Sequence, residues 1–275
     1  MRTTSVNGPR VVALPILAAT LLAASMSAQR VDEPTVGQAG KDAVWVPTSP
    51  ELVEKMLDMA RVTPRDYVVD LGSGDGRTVI AAAKRGAQAL GVEYNNDLVA
   101  LSRQRARDAG IADKAAFVQG DMFEADISKA TVLALFLLPQ NLERLRDKFL
   151  ALPPGTRIVL NTLDIPGWEP DAKEMVDGDC ESWCTSLLHI VPAHVAGVWR
   201  LPFGELTLKQ QFQIVSGTLA SGGRTTPIDN GRMSGDRIAF SAAGVEYTGR
   251  VVDDRIEGSP SSRDNPQSWT ATRRQ

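Results

Sequence analysis

One short stretch of this sequence, residues 67–77 (Tyr-Val-Val-Asp-Leu-Gly-Ser-Gly-Asp-Gly-Arg), constrains the fold more than any other. It begins with an apolar, β-branched run, which is typical of a buried parallel strand. Alternating glycines follow, and glycine adopts positive φ and lets a ligand approach the main chain closely. A helix-like segment comes next, at residues 78–85. The order strand, glycine-rich turn, helix predicts the opening unit of a nucleotide-binding α/β sheet.

The charge beside the turn restricts its ligand. Asp70 lies two residues before the first glycine, and the glycines follow the spacing G-x-G-x-G, whereas dinucleotide-binding turns follow G-x-G-x-x-G. Because a carboxylate repels a pyrophosphate, Asp70 favours a cationic ligand and disfavours an NAD-dependent oxidoreductase. The free N–H groups at the start of the following helix attract polar groups of the same ligand.

The sequence from Asp70 to Gly76 resembles motif I of the class I S-adenosylmethionine-dependent methyltransferases. S-adenosylmethionine (SAM) carries an ammonium and a sulfonium group and no phosphate, which suits an acidic neighbour. An ordinary glycine turn between a strand and a helix is the alternative. The resemblance implies that the amino-acid end of SAM is held by Asp70, Gly72, Ser73, Gly74 and Gly76.

Two further acids follow the next predicted strands. Glu93, with Tyr94 beside it, ends the second strand and is placed to hold both ribose hydroxyls. Asp121 and Met122 follow the third strand and resemble the family's adenine-binding motif, in which an acid holds the adenine amino group and an apolar side chain covers the ring. A surface glutamate at a strand end and an aspartate that caps a turn are the alternatives.

Among class I methyltransferases, residues 45–161 are most similar to small protein-lysine methyltransferases of bacterial and mitochondrial type. The similarity includes Glu93-Tyr94-Asn95 at strand two and an entry such as Val46-Pro47-Thr48 before the first helix. From this entry segment, Trp45, Pro47 and Thr48 are predicted to close over the cofactor. Simple packing of a tryptophan anchor against the first helix is an equal alternative.

The methyl acceptor is less constrained than the cofactor. Many amine methyltransferases carry Asp/Asn-Pro-Pro-aromatic after strand four, whereas this chain has Leu138-Pro139-Gln140-Asn141. Gln140 and Asn141 are therefore the candidates for orienting the nucleophile. The resemblance to the family assigns no catalytic residue to this chain. The acceptor is expected to be a protein or a small molecule, because a net charge of −3 and a pI near 5.5 do not favour nucleic acid.

The predicted architecture is an α/β, doubly wound and mostly parallel sheet followed by a small antiparallel β domain. The SAM-binding domain is expected at residues 45–194, with helices at 50–60, 96–109 and 142–150, the last capped by Asn141. Its third, fourth and fifth strands are expected at 115–120, 130–138 and 157–161. Residues 195–275 predict five to seven short strands in a sandwich or barrel, with turn signals that include Asn230-Gly231. This β module is either a substrate-recognition module or an extension that caps the sheet.

The N-terminus predicts export. Residues 11–24 are uncharged and mostly apolar, which suits a signal-peptide core and is short for a membrane span. Residues 1–28 are thus a signal peptide or an uncleaved membrane anchor, and residues 29–44 a linker. Export to the periplasm or the medium separates the chain from cytoplasmic SAM. A non-enzymatic binding protein on a methyltransferase-like scaffold is therefore the alternative function.

The cysteines are Cys180 and Cys184, and their C-x3-C spacing would place both on one face of a helix. A disulfide in an oxidising compartment and two free thiols are both open. A zinc site with His189 and His194 is the third possibility, but its spacing matches no usual pattern. The sequence therefore predicts no metal site.

Overall fold

A seven-stranded sheet, flanked by helices, carries the first part of the chain. The protein is described here from a computed structural model, in residues 1–4, 33–176, 180, 182–259 and 268–274. The helices are α1 (Pro50–Met59), α2 (Arg77–Lys84), α3 (Asn96–Asp108) and α4 (Pro139–Leu150). The strands are β1 (Tyr67–Leu71), β2 (Gln88–Glu93), β3 (Ala115–Gln119), β4 (Val132–Leu135), β5 (Arg157–Asn161), β6 (Ala172–Met175) and β7 (Thr185–Ile190).

The order of the sheet is β3-β2-β1-β4-β5-β7-β6. The first five of these strands are parallel, and β7 and β6 add an antiparallel edge. This arrangement confirms the prediction of a doubly wound, mostly parallel sheet. The reversal at β1, where the chain moves to the other half of the sheet, opens a crevice at the carboxyl ends of the strands.

The first helix forms as its sequence predicts. Ser49 lies at the N-cap, where its Oγ accepts a hydrogen bond from the Leu52 amide at 3.2 Å, and Pro50 follows at the first helical position. The apolar side of α1, which includes Leu52 and Met56, is fully buried against the sheet. Burial of each such side chain stabilises the fold by roughly 1.5–3 kcal/mol.

The region around β4 and α4 corrects two predictions. Strand β4 is only Val132–Leu135, because the chain leaves the sheet at Phe136. Helix α4 begins at Pro139, since proline is well suited to the first turn of a helix. Its N-cap is Leu138, so the prediction that Asn141 caps this helix is wrong: Asn141 is buried inside the first turn.

Eight antiparallel strands close into a barrel after the sheet. The predicted five to seven strands are thus too few. The barrel contains β8 (Gly197–Leu201), β9 (Gly204–Gln211), β10 (Ile214–Ser221), β11 (Arg224–Ser234), β12 (Arg237–Ala242), β13 (Val245–Val252), β14 (Arg255–Ser259) and β15 (Trp269–Arg273). Its interior is filled by apolar side chains such as Trp199, Leu206 and Met233, all fully buried. The barrel is therefore a packed core, as expected of a barrel of this size.

The Asn230-Gly231 pair is not the hairpin turn that its sequence suggests. It lies inside β11, where the pairing with β12 shifts register between Asp229 and Arg232 and Asn230 has φ +52°. A bulge of this kind bends a strand, which a closed barrel needs. Hairpin turns fall instead at Gly222-Gly223 and Ala243-Gly244.

The barrel packs against the amino-terminal edge of the sheet. The Ala193 amide donates to the Gly235 carbonyl at 2.8 Å, and the Gly235 backbone approaches Gly155, just before β5. Phe212 stacks on Trp168 with ring centroids 5.3 Å apart. Residues Val31–Gln275 cluster as one compact unit. The barrel therefore touches the edge of the sheet opposite the crevice.

The predicted signal or anchor at residues 1–28 lies, apart from residues 1–4, outside the described residues. Of the predicted linker at 29–44, residues 33–44 are described and are folded, with a β-bridge between Ala39 and Val44. Among the helices of the described residues, none has the length and apolar character needed to cross a bilayer.

Candidate functional site

A pocket opens in the crevice at the carboxyl ends of β1, β2, β3 and β4. Of the cofactor residues predicted from the sequence, all except Gly76 line it, and so do all three predicted lid residues. The fold therefore gathers residues from four strand ends and from the N-terminal segment around one cavity.

The glycine turn has a shape that only glycine accepts. Gly74 and Gly76 have φ of +54° and +80°, in the left-handed region. A Cβ on Gly74 would lie 2.7 Å from Nε1 of Trp45, and one on Gly76 would lie 2.7 Å from Oγ of Ser102. Gly76 is thus a packing residue beneath the turn, whereas Gly74 keeps the pocket floor free of side chains.

Asp70 is the buried acid of the pocket. Burial, together with the nearby carboxylates of Glu93 and Asp75, raises its pKa to about 8, against a lowering by a hydrogen bond with Thr78. This pKa favours the protonated carboxyl at neutral pH. A cation placed beside Asp70 would favour its ionised form, which suits the ammonium group of SAM.

Glu93 links the second strand to the glycine turn. Its Oε2 accepts a hydrogen bond from the Gly74 amide at 2.9 Å, and its Oε1 accepts one from the Asn95 amide at 2.9 Å. Each carboxylate oxygen has a second lone pair, so Glu93 retains acceptor capacity for two hydroxyls. These bonds orient the carboxylate before a ligand arrives.

The third acid has a partner that the sequence did not reveal. Asp121 Oδ1 accepts from the Phe123 amide at 2.9 Å, and its Oδ2 accepts from Lys41 Nζ at 2.5 Å. These hydrogen bonds, chiefly that of Lys41, lower the pKa of Asp121. Lys41 Nζ also lies 5.1 Å from the ring centroid of Tyr94, whose side chain is exposed. Met122, beside Asp121, lines the pocket and packs on the core.

The N-terminal segment folds over the pocket, so part of the predicted linker belongs to the site. The Trp45 amide donates to the Gln38 carbonyl at 2.8 Å, which closes residues 38–45 into a tight loop. Thr48 anchors its end: Oγ1 accepts from Asn161 Nδ2 at 3.0 Å, and its carbonyl accepts from Arg77 at 2.8 Å. Nothing in the sequence of residues 38–44 distinguished them from a polar linker.

An ion-pair network supports the turn from behind. Asp75, 2% exposed, accepts hydrogen bonds from Arg77 at 2.7 Å and from Arg105 at 2.5 Å. These two cations lower the pKa of Asp75 against the effect of burial. Because Arg77 also holds Thr48, the network joins the glycine turn to the N-terminal segment. Asp75 and Arg77 stand inside the glycine motif, but the motif alone gave them no role.

The candidates for orienting the nucleophile lie elsewhere. Gln140 is exposed at the start of α4, Asn141 is buried, and neither residue lines the pocket. The structure brings Phe136 and Leu137 to the pocket instead, directly after β4. An apolar strand end gave no reason to select them from the sequence.

Cys180 and Cys184 form a disulfide in the connection between β6 and β7. The disulfide is therefore the one of the three possibilities that the structure supports, and the described residues of this connection are not helical. The zinc set is wrong, since the cysteines bond to each other and His189 Nε2 lies 2.8 Å from Asp164 Oδ1. Across the described ranges, no group of His, Cys, Asp and Glu side chains is arranged to hold a metal ion.

The residues that line the pocket suit the chemistry of SAM. The pocket offers a buried carboxyl group for a cation, an oriented carboxylate for two hydroxyls and a further acid beside an apolar side chain. In addition, Ser73 lines the pocket, and its buried Oγ has no hydrogen-bond partner among the described residues. Buried polar atoms are normally paired, so this hydroxyl is an exception; it lies against β2, where a Cβ on Gly91 would be 2.6 Å from it.

Comparisons with known proteins agree with this fit. Residues 70–172 match the family described as the ANTKMT methyltransferase domain. The chain is 39% identical over 156 residues to a protein-lysine N-methyltransferase of Saccharolobus islandicus, which covers 54% of this chain and 94% of that protein. It is 38% identical over 130 residues to the mouse adenine nucleotide translocase lysine N-methyltransferase, which covers 46% of this chain and 56% of that protein.

The chain is also similar to a solved structure that contains a bound ligand. An RNA methyltransferase from Salinibacter ruber in complex with S-adenosyl-L-homocysteine is 43% identical, with a TM-score of 0.51, over 55% of this chain and 96% of that chain. The present chain thus spans nearly all of the Saccharolobus protein and little more than half the length of the mouse protein. These similarities support a SAM-dependent enzyme over a non-enzymatic scaffold. The family match ends at residue 172, before the barrel begins.

Proposed function

Because this chain belongs to the class I SAM-dependent methyltransferases, we propose that it transfers a methyl group from SAM to the side-chain amine of a protein lysine. The observation that carries the proposal is its 39% identity to the protein-lysine methyltransferase of Saccharolobus islandicus across 94% of that protein. The mouse relative, a lysine methyltransferase of the adenine nucleotide translocase, supports the same acceptor class.

RNA is the second candidate acceptor. Its support is the 43% identity to the solved RNA methyltransferase from Salinibacter ruber. Against it stands the net charge of −3, since RNA binding depends on neutralising phosphates with Lys and Arg. A protein lysine, which is itself cationic, suits an acidic chain better.

Each part of the pocket has a separate task in holding the cofactor. Asp70 would pair with the ammonium group, with Ser73 and the Gly74 backbone beside it. Glu93 would hold the ribose hydroxyls, and Asp121 with Met122 would hold the adenine. When bound, SAM supplies a methyl group on a sulfonium sulfur, which is open to displacement by an amine.

The chain's own residues then position and desolvate the reactants. Methyl transfer needs an in-line approach and little acid–base assistance, so positioning accounts for most of the rate. The loop of residues 38–48 and the apolar side chains of Phe136 and Leu137 exclude water from the pocket. An ammonium group beside Asp70 would favour the ionised carboxylate, whose proton would pass to solvent.

A labelling experiment tests the acceptor. The full chain is incubated with deuterated-methyl SAM and, separately, with a mixed protein extract and with total RNA from its source, and mass spectrometry identifies the labelled atoms. We expect label on lysine Nε and none in the Glu93→Ala variant. Label in RNA, with unlabelled lysines, would reject the lysine acceptor and select the second candidate.

We also propose that the chain is exported, with residues 1–28 as the export signal. The Cys180–Cys184 disulfide supports this, because such bonds persist in oxidising compartments. Cell fractionation with N-terminal sequencing of the mature chain is the test. We expect an exported chain that starts near Gln29 with no free thiol. An exported chain with an intact N-terminus would select the membrane anchor, and a cytoplasmic chain with reduced cysteines would reject export.

A further inference from the structure

An aromatic pair at the edge of the pocket is not required by the cofactor. Phe136, which lines the pocket directly after β4, has its ring centroid 5.4 Å from that of Trp183. Trp183 is 40% exposed, although tryptophan is highly buried on average. The three parts of SAM already have partners at the ends of β1, β2 and β3. The pair at the end of β4 is therefore free to contact the methyl acceptor.

The backbone fixes Trp183 at this edge. Cys180 and Cys184 bracket it with their disulfide. The Cys184 carbonyl accepts from the Val176 amide at 2.9 Å, and the Thr185 carbonyl accepts from the Thr162 amide at 2.7 Å. Since Thr162 follows directly after β5, these bonds hold the connection at the carboxyl edge of the sheet, where the pocket opens.

The surroundings favour a group that donates hydrogen bonds. Asn161 and Ser186, which are cross-strand partners at the same edge, are fully buried. Their Oδ1 and Oγ atoms have no hydrogen-bond partner in the described part of the chain. The Asn161 amide oxygen only accepts hydrogen bonds, so it suits a donor such as a lysine ammonium and not an RNA phosphate.

We propose that Phe136 and Trp183 form the wall of the site that receives the acceptor lysine, and that the Cys180–Cys184 disulfide holds Trp183 in this position. The rings would contact the aliphatic part of the lysine and attract its ammonium group by a cation–π interaction. The inference rests on the proposed lysine acceptor. Many amine methyltransferases have an aromatic residue in the motif after strand four, where this chain has Gln140 and Asn141. Trp183, from the connection between β6 and β7, would supply an aromatic ring in its place.

Binding of a fluorescein-labelled oligolysine peptide to the full chain, loaded with S-adenosyl-homocysteine, tests the proposal by anisotropy. We expect Trp183→Ala to weaken binding about tenfold, consistent with a desolvated cation–π contact. Trp183→Phe should stay within about threefold of the unchanged chain, since it keeps a ring. The Cys180→Ser/Cys184→Ser double variant should weaken binding to an intermediate degree. Calorimetry should give unchanged affinity for S-adenosyl-homocysteine in all three, which also shows that they fold.

Phe203→Ala is the matched control, because Phe203 is also 40% exposed but lies in the β8–β9 turn of the barrel. It should leave peptide binding unchanged. Equal binding by Trp183→Ala and the unchanged chain would overturn the proposal, and so would an unchanged chain that binds no oligolysine. A Trp183→Ala variant that loses only an RNA oligonucleotide would also overturn it, in favour of base stacking.

Methylation assays distinguish an error in the role of Trp183 from an error in the proposed lysine acceptor. If the unchanged chain methylates lysine and Trp183→Ala keeps the same acceptor KM, the inference is wrong and the lysine acceptor stands. If the unchanged chain leaves lysine unlabelled, the proposed function itself is wrong. A rise in acceptor KM at constant kcat and constant SAM affinity supports both.

Discussion

The sheet and the barrel bury their polar groups differently. Of the buried side-chain polar atoms without a partner in the described residues, six lie in the sheet region and one, Nε1 of Trp269, lies in the barrel. The atoms in the sheet region belong to Ser73, Asn141, Asn161, Trp168, Ser186 and His189. Unpaired buried groups reduce stability, and native proteins retain them where a ligand or a mechanism needs them.

The two regions also differ in the space that they leave for a ligand. The barrel closes its edges and fills its interior, so it leaves little for a ligand to bind inside. The sheet ends in a crevice that holds an acid with a strongly raised pKa. The residues that line the pocket belong to the sheet region and to the N-terminal segment, and none of them belongs to the barrel.

Two glycines give the sharpest test of that comparison. Gly74 in the sheet region and Gly222 in the barrel have φ of +54° and +58°, so a substitution strains both backbones similarly. A Cβ would lie 2.7 Å from Trp45 Nε1 at Gly74 and would meet nothing within 4 Å at Gly222. Gly74→Arg should abolish SAM binding in calorimetry, whereas Gly222→Arg should leave it unchanged. Equal losses would show that backbone strain, not the pocket, governs binding.

The next largest effect is expected at Glu93. Glu93→Ala removes a charged acceptor for two ribose hydroxyls, at roughly 1.5–3 kcal/mol for each bond, so SAM affinity should fall about a hundredfold or more. Circular dichroism should show a folded protein. Glu205→Ala in the barrel, which removes a surface partner of Arg274, is the control and should not change SAM affinity. An unchanged affinity in Glu93→Ala would reject the ribose assignment.

Asp70 predicts a pH dependence of stability. Its pKa is about 8 in the folded chain and about 3.9 when unfolded, so the folded state holds a proton that the unfolded state releases. The free energy of unfolding should therefore fall as pH rises from about 4 to about 8. In urea titrations, this dependence should be weaker in Asp70→Asn, which cannot ionise.

The same carboxyl predicts how SAM binding responds to pH. SAM affinity of the unchanged chain should rise with pH towards about 8, because the ammonium group needs the ionised carboxylate. Asp70→Asn should bind SAM about tenfold more weakly, the effect of one charge-assisted hydrogen bond. A variant with the same affinity and the same pH profile as the unchanged chain would place the ammonium elsewhere.

The smallest effect on the site is expected at the junction of the two regions. Phe212 stacks on Trp168 with an interplanar angle of 2°. Phe212→Ala should lower the free energy of unfolding by about 2 kcal/mol through lost packing, measured by urea unfolding. SAM affinity should stay the same, since neither ring lines the pocket. A change in SAM affinity would mean that the barrel influences the pocket through this contact.

Local sequence was sufficient for the features that depend on local physics. The glycine turn, the N-cap at Ser49 and the buried strand at Arg157–Asn161 follow from the conformational freedom of glycine, capping and apolar runs. Local rules failed at Asn230-Gly231 and at Asn141. There, closure of the barrel and a proline at the first turn of α4 outweighed a hairpin signal and a capping residue.

Some residues of the candidate site could be identified from the sequence, and others only from the structure. The sequence by itself determined the three acids and the glycines, because their spacing along successive strands places them at one edge of a parallel sheet. Only the tertiary structure brought Lys41 to Asp121, Arg77 to Thr48 and Trp183 to Phe136. The two residues of each pair are 29 to 80 positions apart in the sequence. No local pattern records such contacts, since they form only when the whole chain packs.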